Sequence, residues 1–475
     1  MGGHVSYRVM TESFFKDKRI TVFGLGLNMG GVGTVEFLAK QGVREIIVTD
    51  IKSREELGAS LEKLSKYKHI TYALGQHRPE DFTSVDMVIK NPVISWTNEY
   101  IKLAQKHNVP VEMDSSLFFS LCKTPIIGVT GTKGKTTTAT LIAHILEFAG
   151  KKVARVGIGQ TGVLGRLLQA QEADVVVFEL SSWRLSALMH SKKSPVIAVF
   201  TNIHPDHLNY YKTMDAYIAD KKNIFLFQKT KDILVANFDD QVVREAAQEA
   251  RGGLVWFSER NGILGDGVWS EQGQIWVHEK GVSRELLPWQ EILLLGEHNK
   301  SNVLAGAAAA LAFGTPFQKV AKAIRCFPGV PHRLEYIGEK KNVRYYNDTA
   351  ATIPEAAVMA LRSFAEPVIL IAGGSDKCLS FDSLAEEILK KSKGLVLFAG
   401  EGTEKLLAAL KKRLPETEKN RPFEIVETMQ KAVELASRNA ESGDIVLLSP
   451  GAASFGLFKN EFDRGEQFRA CVREL

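Results

Sequence analysis

Lys135 stands where residue types and spacing point most directly to chemistry. In "GVTGTKGKTTTAT", residues 128–140, an apolar run ends in glycines and threonines, and a helical pattern begins at once. Backbone N–H groups at Gly131, Thr132, Lys133 and Gly134 can cradle nucleotide phosphates, Lys135 adds a point charge, and Thr136 offers a hydroxyl to Mg2+. The pattern departs from a strict Walker A loop, because Val129 stands where that rule wants glycine. A glycine turn with no ligand is the bland alternative, and a Lys-Thr pair opening a helix argues against it. The loop alone leaves open whether the phosphate serves signalling, motion or the making of a bond.

A metal partner is needed beside such a loop. Glu179 ends the apolar run "VVVFE", which places its carboxylate at a strand's C-terminal end, where α/β sheets bind ligands. Mg2+ suits a carboxylate in that position. The next run leads into "NIHPDHLNYY", with His204, Asp206 and His207. His-x-x-His spacing raises zinc, but no third ligand cluster accompanies it, and a satisfied surface turn is the plain alternative. Further on, "YYNDTAATIPEA" (345–356) gathers Asn347, Asp348, Thr349 and Thr352 after a β-run. By residue type alone this stretch reads as a helix cap, since Asn, Asp and Thr favour that position.

Three α/β blocks must position these residues. The first, residues 1–122, opens with "RITVFGLGLNMGGVG", a β-run, a glycine turn and a helical pattern on Val35, Phe37 and Leu38. "EIIVTD" ends at Asp50, the outline of a dinucleotide fold, although Gly24-x-Gly26-x-x-x-Gly30 is one residue longer than the usual fingerprint. NAD and another nucleotide diphosphate are both compatible with it. The second block, 123–328, carries the phosphate loop, short β-branched runs expected to be central parallel strands, and an Ala-rich helix stopped by Gly314. Residues 251–290 look like a small antiparallel insert. "FPGVPHRLE" is the hinge into the third block, 329–475, where "PVILIAGGSDK", "GLVLFAGEG" and "DIVLLSPGAAS" alternate with helical patterns as a further doubly wound unit.

Composition agrees with three globular domains. The chain has 475 residues, 45% hydrophobic and 24% charged, with a net charge of +5. The basic residues are spread along the chain, which argues against nucleic acid and only weakly for a small anionic substrate. Cys122, Cys326, Cys378 and Cys471 form no Cys-x-x-Cys pair, so free thiols in a reducing cytoplasm are expected. No run reaches membrane-span length and no signal-peptide core is seen; "MGGHVS" meets the myristoylation pattern, which arises easily by chance.

The order of motifs is more specific than any one of them. "TGTKGKTT", "ELSSW", "NIHPDHLNYY", "YIADKKNIF", "EHNKSN", "GVPHRLE", "YYNDTAAT" and "LLSPGAASFGLFKNEFDRG", taken in sequence, resemble the Mur ligase family of peptidoglycan synthesis, above all its glutamate-adding members. The resemblance spans the whole chain. It implies an N-terminal Rossmann-like domain that holds a UDP-substrate and not NAD, a central P-loop ATPase-type domain of mostly parallel sheet, and a C-terminal Rossmann-like domain. It implies ATP and two Mg2+ ions, with transfer of the γ-phosphoryl group to the carboxylate of UDP-N-acetylmuramoyl-L-alanine and attack of a glutamate amine on the acyl phosphate. No nucleic acid or membrane partner is expected, and a cytoplasmic monomer is.

Carried over residue by residue, the resemblance gives ATP to residues 131–137, ending with Thr136 and Thr137, and to Asn299, Asn302, Arg333 and Asp348, the last two as the third block closes. Thr136, Glu179, His207 and a carbamylated Lys221 would hold the metals, with Lys135, His207 and Lys221 the catalytic set. Lys222 is adjacent, but Lys221 fits the family's Ala-Lys step. The UDP-substrate would meet Gly26, Leu27, Asn28, Asp50, Ile51, Asn91, Pro92, Gln160 and Ser182. Gln160 replaces a frequent Asn and keeps its amide. Glutamate would meet Thr352, Lys377, Ser454 and Phe462, the last offset by one place from the family pattern. The glutamate ligases carry Ser-Lys-Ala-Thr-Asn after Asn-Asp, whereas Thr349-Ala350-Ala351-Thr352 stands here, so that cation is gone. A variant branch that includes L-glutamate-adding members resembles this stretch better, and D-glutamate remains the favoured substrate. Rivals are another Mur-type or folylpolyglutamate-type ligase and, from a different class, a non-ligating ATP switch.

Overall fold

The computed structural model describes residues 12–27, 29–159, 162–262, 265–377, 379–415 and 423–475. The "MGGHVS" pattern, Asn28, Gln160 and Cys378 lie outside the described residues. Among those described, three α/β sheets follow one another along the chain, as the block reading expects.

The first sheet comprises β1 (Arg19–Phe23), β2 (Glu45–Asp50), β3 (Ile70–Leu74), β4 (Met87–Lys90) and β5 (Val111–Met113), in the order β3-β2-β1-β4-β5. All its pairings are parallel. β1, β2 and β4 are almost wholly buried because helices cover both faces, so they read as continuous apolar runs. The order reverses between β1 and β4, and the turns that follow those two strands carry Gly24, Gly26, Asn91 and Pro92. A crevice at such a switch point is where open α/β sheets take ligands.

The second sheet comprises β6 (Ile126–Thr130), β7 (Val153–Val156), β8 (Val175–Glu179), β9 (Ile197–Phe200), β10 (Ile233–Asn237), β11 (Gly253–Ser258), β12 (Gly267–Glu271), β13 (Gln274–Glu279) and β14 (Val282–Pro288). Its order is β14-β13-β12-β11-β10-β9-β6-β8-β7. Here the expectation of a separate antiparallel insert at 251–290 is corrected. β11 lies parallel to β10, with Ile233 opposite Gly253, and β12 lies parallel to β11. Only β12-β13-β14 are antiparallel. The hairpins at Gln272-Gly273 and Lys280-Gly281 have positive φ at both turn residues, the geometry that matches strand twist. Those turns give a local signal; the parallel pairing of β11 is long-range and gives none.

The third sheet comprises β15 (Glu335–Lys340), β16 (Val343–Asn347), β17 (Val368–Gly373), β18 (Ser392–Phe398), β19 (Glu424–Val426) and β20 (Ile445–Leu448), ordered β15-β16-β20-β17-β18-β19. It is parallel except for the β15-β16 hairpin.

Packing divides the chain into two compact units. One runs to Glu291 and includes Ser301–Arg325; the other is Ile292–Lys300 with Cys326–Leu475. The first two sheets share the first unit, where the Phe118 and Phe119 rings pack 5.3 and 5.9 Å from that of Phe178. Among the described residues, no helix is long and apolar enough to cross a membrane.

Candidate active site

β6 lies between β8 and β9, so the segments leaving their C-terminal ends are neighbours by construction. The loop after β6 is stitched to the loop after β9. Thr132 N donates to Asn202 O at 2.9 Å, Lys133 N to Asn202 Oδ1 at 2.8 Å, and Thr201 Oγ1 to Lys133 O at 2.8 Å. His204 N donates to Thr132 Oγ1 at 2.9 Å, while the His204 side chain is exposed. Two glycines make this approach possible. Gly131 has φ +154° and a Cβ there would run into Thr201 Oγ1; Gly134 has φ +82° and would meet Asn302 Oδ1. Asn302 is buried and accepts from Thr138 Oγ1 at 3.2 Å. The helix Lys135–Phe148 starts at the loop's end, so its N-terminal amides face the same way as the loop's. Lys135 Nζ donates to Gly131 O and Thr132 O at 3.0 and 2.9 Å. Thr136 is half-buried and Thr137 buried on the first turn, whereas Lys133 is exposed.

Lys221 reaches the same loop from the helix Met214–Lys222. It is only 1% exposed, and its Nζ donates to Gly131 O at 2.7 Å and Thr130 Oγ1 at 3.4 Å, 4.9 Å from the centre of the Tyr217 ring. Burial holds its pKa well below the usual lysine range; the Lys135 charge adds to this and Asp206 opposes it. Lys222 points elsewhere, to Glu249. The neighbouring Asp220 carboxyl is raised to about 6 by burial, against a hydrogen bond from Tyr211 and the charge of Lys90. His207 has φ 53° and precedes the short helix Leu208–Tyr211; its ring lies 4.5 Å from that of Trp183, and its Nε2 lies 3.7 Å from Asp206 Oδ2. Glu179 is the last residue of β8, opposite Val129 of β6. Among the described residues, no three His, Cys, Asp or Glu side chains form a ready-made metal cage. Mg2+ takes oxygen ligands, keeps waters and phosphate oxygens and asks for only one or two carboxylates, so the Glu179 carboxylate and the Thr136 hydroxyl are donors of the kind it takes, whereas the His207 imidazole is a nitrogen donor.

In the first sheet, Asp50 Oδ2 accepts from Gly26 N at 2.9 Å and Oδ1 from Lys52 N at 3.0 Å, which pins the glycine turn to the end of β2. Asn91 Nδ2 donates to Gly24 O at 3.2 Å across the switch point. Leu27 and Ile51 are well exposed beside that turn, at 64% and 69%. A cleft here is lined by Gly24, Gly30, Lys90, Asn91, Pro92 and Asp114. Buried Lys90 donates to Ile94 O at 2.8 Å, and burial pulls its pKa down to about 7 against Asp114 and Asp220. Trp96 Nε1 donates to Ser186 Oγ at 2.8 Å, which ties the 91–96 loop to the helix Ser182–Ser191. Ser182 is buried at that helix's first position.

In the other unit, β16, β20 and β17 are adjacent, so the segments 347–352, 449–454 and 374–377 meet at one sheet edge. The helix-cap reading of the first segment is overturned. The helix Pro354–Arg362 begins after Ile353 with no side-chain cap, and Asn347 and Thr349 are wholly buried at the end of β16. Asp348 accepts from Leu334 N at 3.1 Å and Ser449 Oγ at 2.8 Å; burial raises its carboxyl to about 7 against those bonds and the Arg333 charge. Arg333 itself is exposed. Lys377, also exposed, donates from Nζ to Thr352 Oγ1 at 3.2 Å. Ser454 is buried, and the Phe462 ring lies 5.5 Å from that of His332. Asn299 is buried and donates to Leu295 O at 2.6 Å.

Comparison with known proteins decides the family. The chain matches the Mur ligase MurD-like N-terminal domain over residues 18–112, the Mur ligase middle domain over 129–310, and the Mur ligase glutamate ligase domain over 332–451. The chain belongs to the Mur ligase family. It is 41% identical to the UDP-N-acetylmuramoylalanine–D-glutamate ligase of Roseiflexus sp. (strain RS-1) over 96% of its own length and 99% of the relative's. It is 35% identical to the enzyme of the same name from Clostridium perfringens (strain 13 / Type A), with 98% of each chain covered. The crystal structure of UDP-N-acetylmuramate-alanine ligase MurC from Thermotoga maritima shares the fold, with a TM-score of 0.59 at 19% identity, covering 96% of this chain and 99% of that one. As a Mur ligase, the chain is an ATP-dependent amide ligase.

Several residues that shape this Mur ligase escape the sequence reading. Thr201 and Asn202 hold the phosphate loop, and Asn202 lies in the quoted "NIHPDHLNYY" run, where the histidines draw attention first. Lys90 and Arg464 sit at a strand end and inside a helix, where nothing in the sequence marks them as buried.

Proposed function

We propose that this ligase adds glutamate, D-glutamate in preference, to UDP-N-acetylmuramoyl-L-alanine in cytoplasmic peptidoglycan precursor synthesis, acting as a monomer. The observation that carries the reading is the meeting of the phosphate loop, Glu179, the 201–207 loop and Lys221 at one sheet edge, in a chain that aligns from end to end with D-glutamate-adding relatives. The proposed domains are 1–122 for the UDP-substrate, 123–328 for ATP and 329–475 for the amino acid.

A carboxylate resists attack by an amine because oxide is a poor leaving group. Phosphorylation by ATP turns the leaving group into phosphate. The Lys135 ammonium, released from the loop carbonyls it now meets, and the loop and helix amides that Asn202 does not occupy would meet the charge that develops on the transferring group. Mg2+, when bound, would neutralise phosphate charge; Thr136, Glu179 and His207 would hold it, with Lys221 as carbamate. Burial favours the neutral amine of Lys221, whose lone pair CO2 requires: the N–C bond would form, one N–H proton would depart to solvent, and a neutral amine would become an anionic carbamate. Leu27 and Ile51 offer an apolar surface for a uracil ring beside Gly26 and Asp50. Asn91, Pro92 and Ser182 are assigned to the same substrate, and Gln160 and Asn28, outside the described residues, are assigned to it on the family resemblance. Asn299, Asn302, Arg333 and Asp348 are assigned to the nucleotide, and Thr352, Lys377, Ser454 and Phe462 to glutamate.

A second reading, L-glutamate, is favoured by one observation: Ala350 stands where the family's glutamate ligases carry lysine, and Lys377 reaches Thr352 from the segment after β17. Phosphate release from ATP with UDP-N-acetylmuramoyl-L-alanine, measured with each glutamate enantiomer, separates them. D-dependent release is expected. Release with L alone selects the second reading, and release with neither removes glutamate.

A further inference from the structure

Arg464 lies in the helix Glu461–Glu474 and is wholly buried. Its Nε donates to Thr349 Oγ1 at 2.9 Å and its Nη2 to Thr349 O at 3.0 Å. Nη1 and Nη2 both reach Ala452 O at 3.3 Å. Every acceptor is neutral. Among the described residues no carboxylate accepts a hydrogen bond from it, and Glu461 is felt only as a more distant charge. Burial pulls the pKa down to about 10, which still leaves the guanidinium charged at neutral pH. A buried cation without a counter-ion is poor design for stability alone, because desolvation goes unrepaid.

Its two anchors explain its presence. Thr349 begins the segment that ends at Thr352. Ala452 precedes Ala453, which pairs with Ser375 on the segment that carries Lys377, and then Ser454. One planar fork therefore ties two loops together, the Ala453–Ser375 pairing joins the third, and a permanent positive charge lies beneath them. The first of those loops, Thr349-Ala350-Ala351-Thr352, carries no charge of its own.

We propose that Arg464 is a positioning residue for the amino-acid substrate: it locks the 349–352 and 452–454 loops and supplies the fixed positive field that a dicarboxylic amino acid neutralises. This rests on the reading that these loops bind glutamate. Arg464 does not touch the substrate; it acts through Thr352, Lys377 and Ser454.

The test uses the full-length enzyme with Arg464→Met and Arg464→Lys, each checked for cooperative thermal unfolding. KM is measured for the amino acid that the wild type accepts, for UDP-N-acetylmuramoyl-L-alanine as control, and with kcat. Loss of one charge-assisted anchor predicts a rise of about tenfold or more in the amino-acid KM for Arg464→Met. The control KM should stay within about twofold, and Arg464→Lys should recover little of the loss, because lysine lacks the planar fork and a buried amine sheds its proton. Unchanged amino-acid KM in Arg464→Met overturns the proposal. So does a parallel rise of both KM values with a lowered melting temperature, or a lysine variant that keeps the wild-type amino-acid KM. Which amino acid the wild type accepts is settled by the wild type alone, so failure of the underlying reading shows separately.

Discussion

Among the described residues the basic side chains of Lys90, Lys221 and Arg464 are buried almost completely, and the last two, one in each compact unit, meet the same problem in opposite ways. Lys221 faces a carbonyl and a hydroxyl near the phosphate loop; Arg464 faces carbonyls and a hydroxyl between two loops of the other unit. Neither has a hydrogen-bonded carboxylate among the contacts described. An amine escapes the penalty of burial by giving up its proton, and the second positive charge of Lys135 pushes Lys221 the same way. A guanidinium holds its proton at neutral pH. Burial thus favours the neutral amine at Lys221 and leaves Arg464 charged.

The comparison breaks most readily at Lys221. Lys221→Ala should lower kcat by about 10²–10³ or more, the scale of losing one preorganised charged group, with partial rescue by small carboxylates. Lys221→Arg should lose as much and resist rescue, because a guanidinium fills the space and keeps its charge. Full activity in either variant, in steady-state phosphate release, would remove Lys221 from the mechanism. The Arg464 variants come next, at about tenfold in amino-acid KM. Asp348 sharpens the account for a buried acid, whose pKa is raised to about 7 from an unfolded value near 4. Between those values the folded state binds more protons than the unfolded state, so stability from this group falls as pH rises through the window. The slope is at most about 1.4 kcal/mol per pH unit. Asp348→Asn should flatten the pH dependence of urea unfolding between pH 5 and 7 by that amount, and an unchanged slope would mean that Asp348 stays ionised.

What the sequence shows of this molecule is what lies close together along it. The phosphate loop, the strand ending in Glu179 and the strand ending in Asp50 are local patterns of glycine, β-branched and acidic residues, and they stand where they are expected. The motif order carries the family. Contacts that cross the fold leave no local trace: Lys221 meets Gly131 from 90 residues away and Arg464 meets Thr349 from 115. The same limit explains β11, whose hairpin neighbours announce themselves while its own parallel pairing does not. Residue type also misleads where burial reverses its meaning. Asn347 and Thr349 have the composition of a helix cap, yet they close a buried strand and anchor the helix that carries Arg464.

The proposal that Lys221, unlike Arg464, takes up CO2 is tested directly by 13C NMR of the enzyme equilibrated with 13C-bicarbonate. The wild type should show a protein-bound carbamate resonance that is absent from Lys221→Ala and retained in Lys222→Ala. A wild type without the resonance, or a signal that survives Lys221→Ala, would contradict the account.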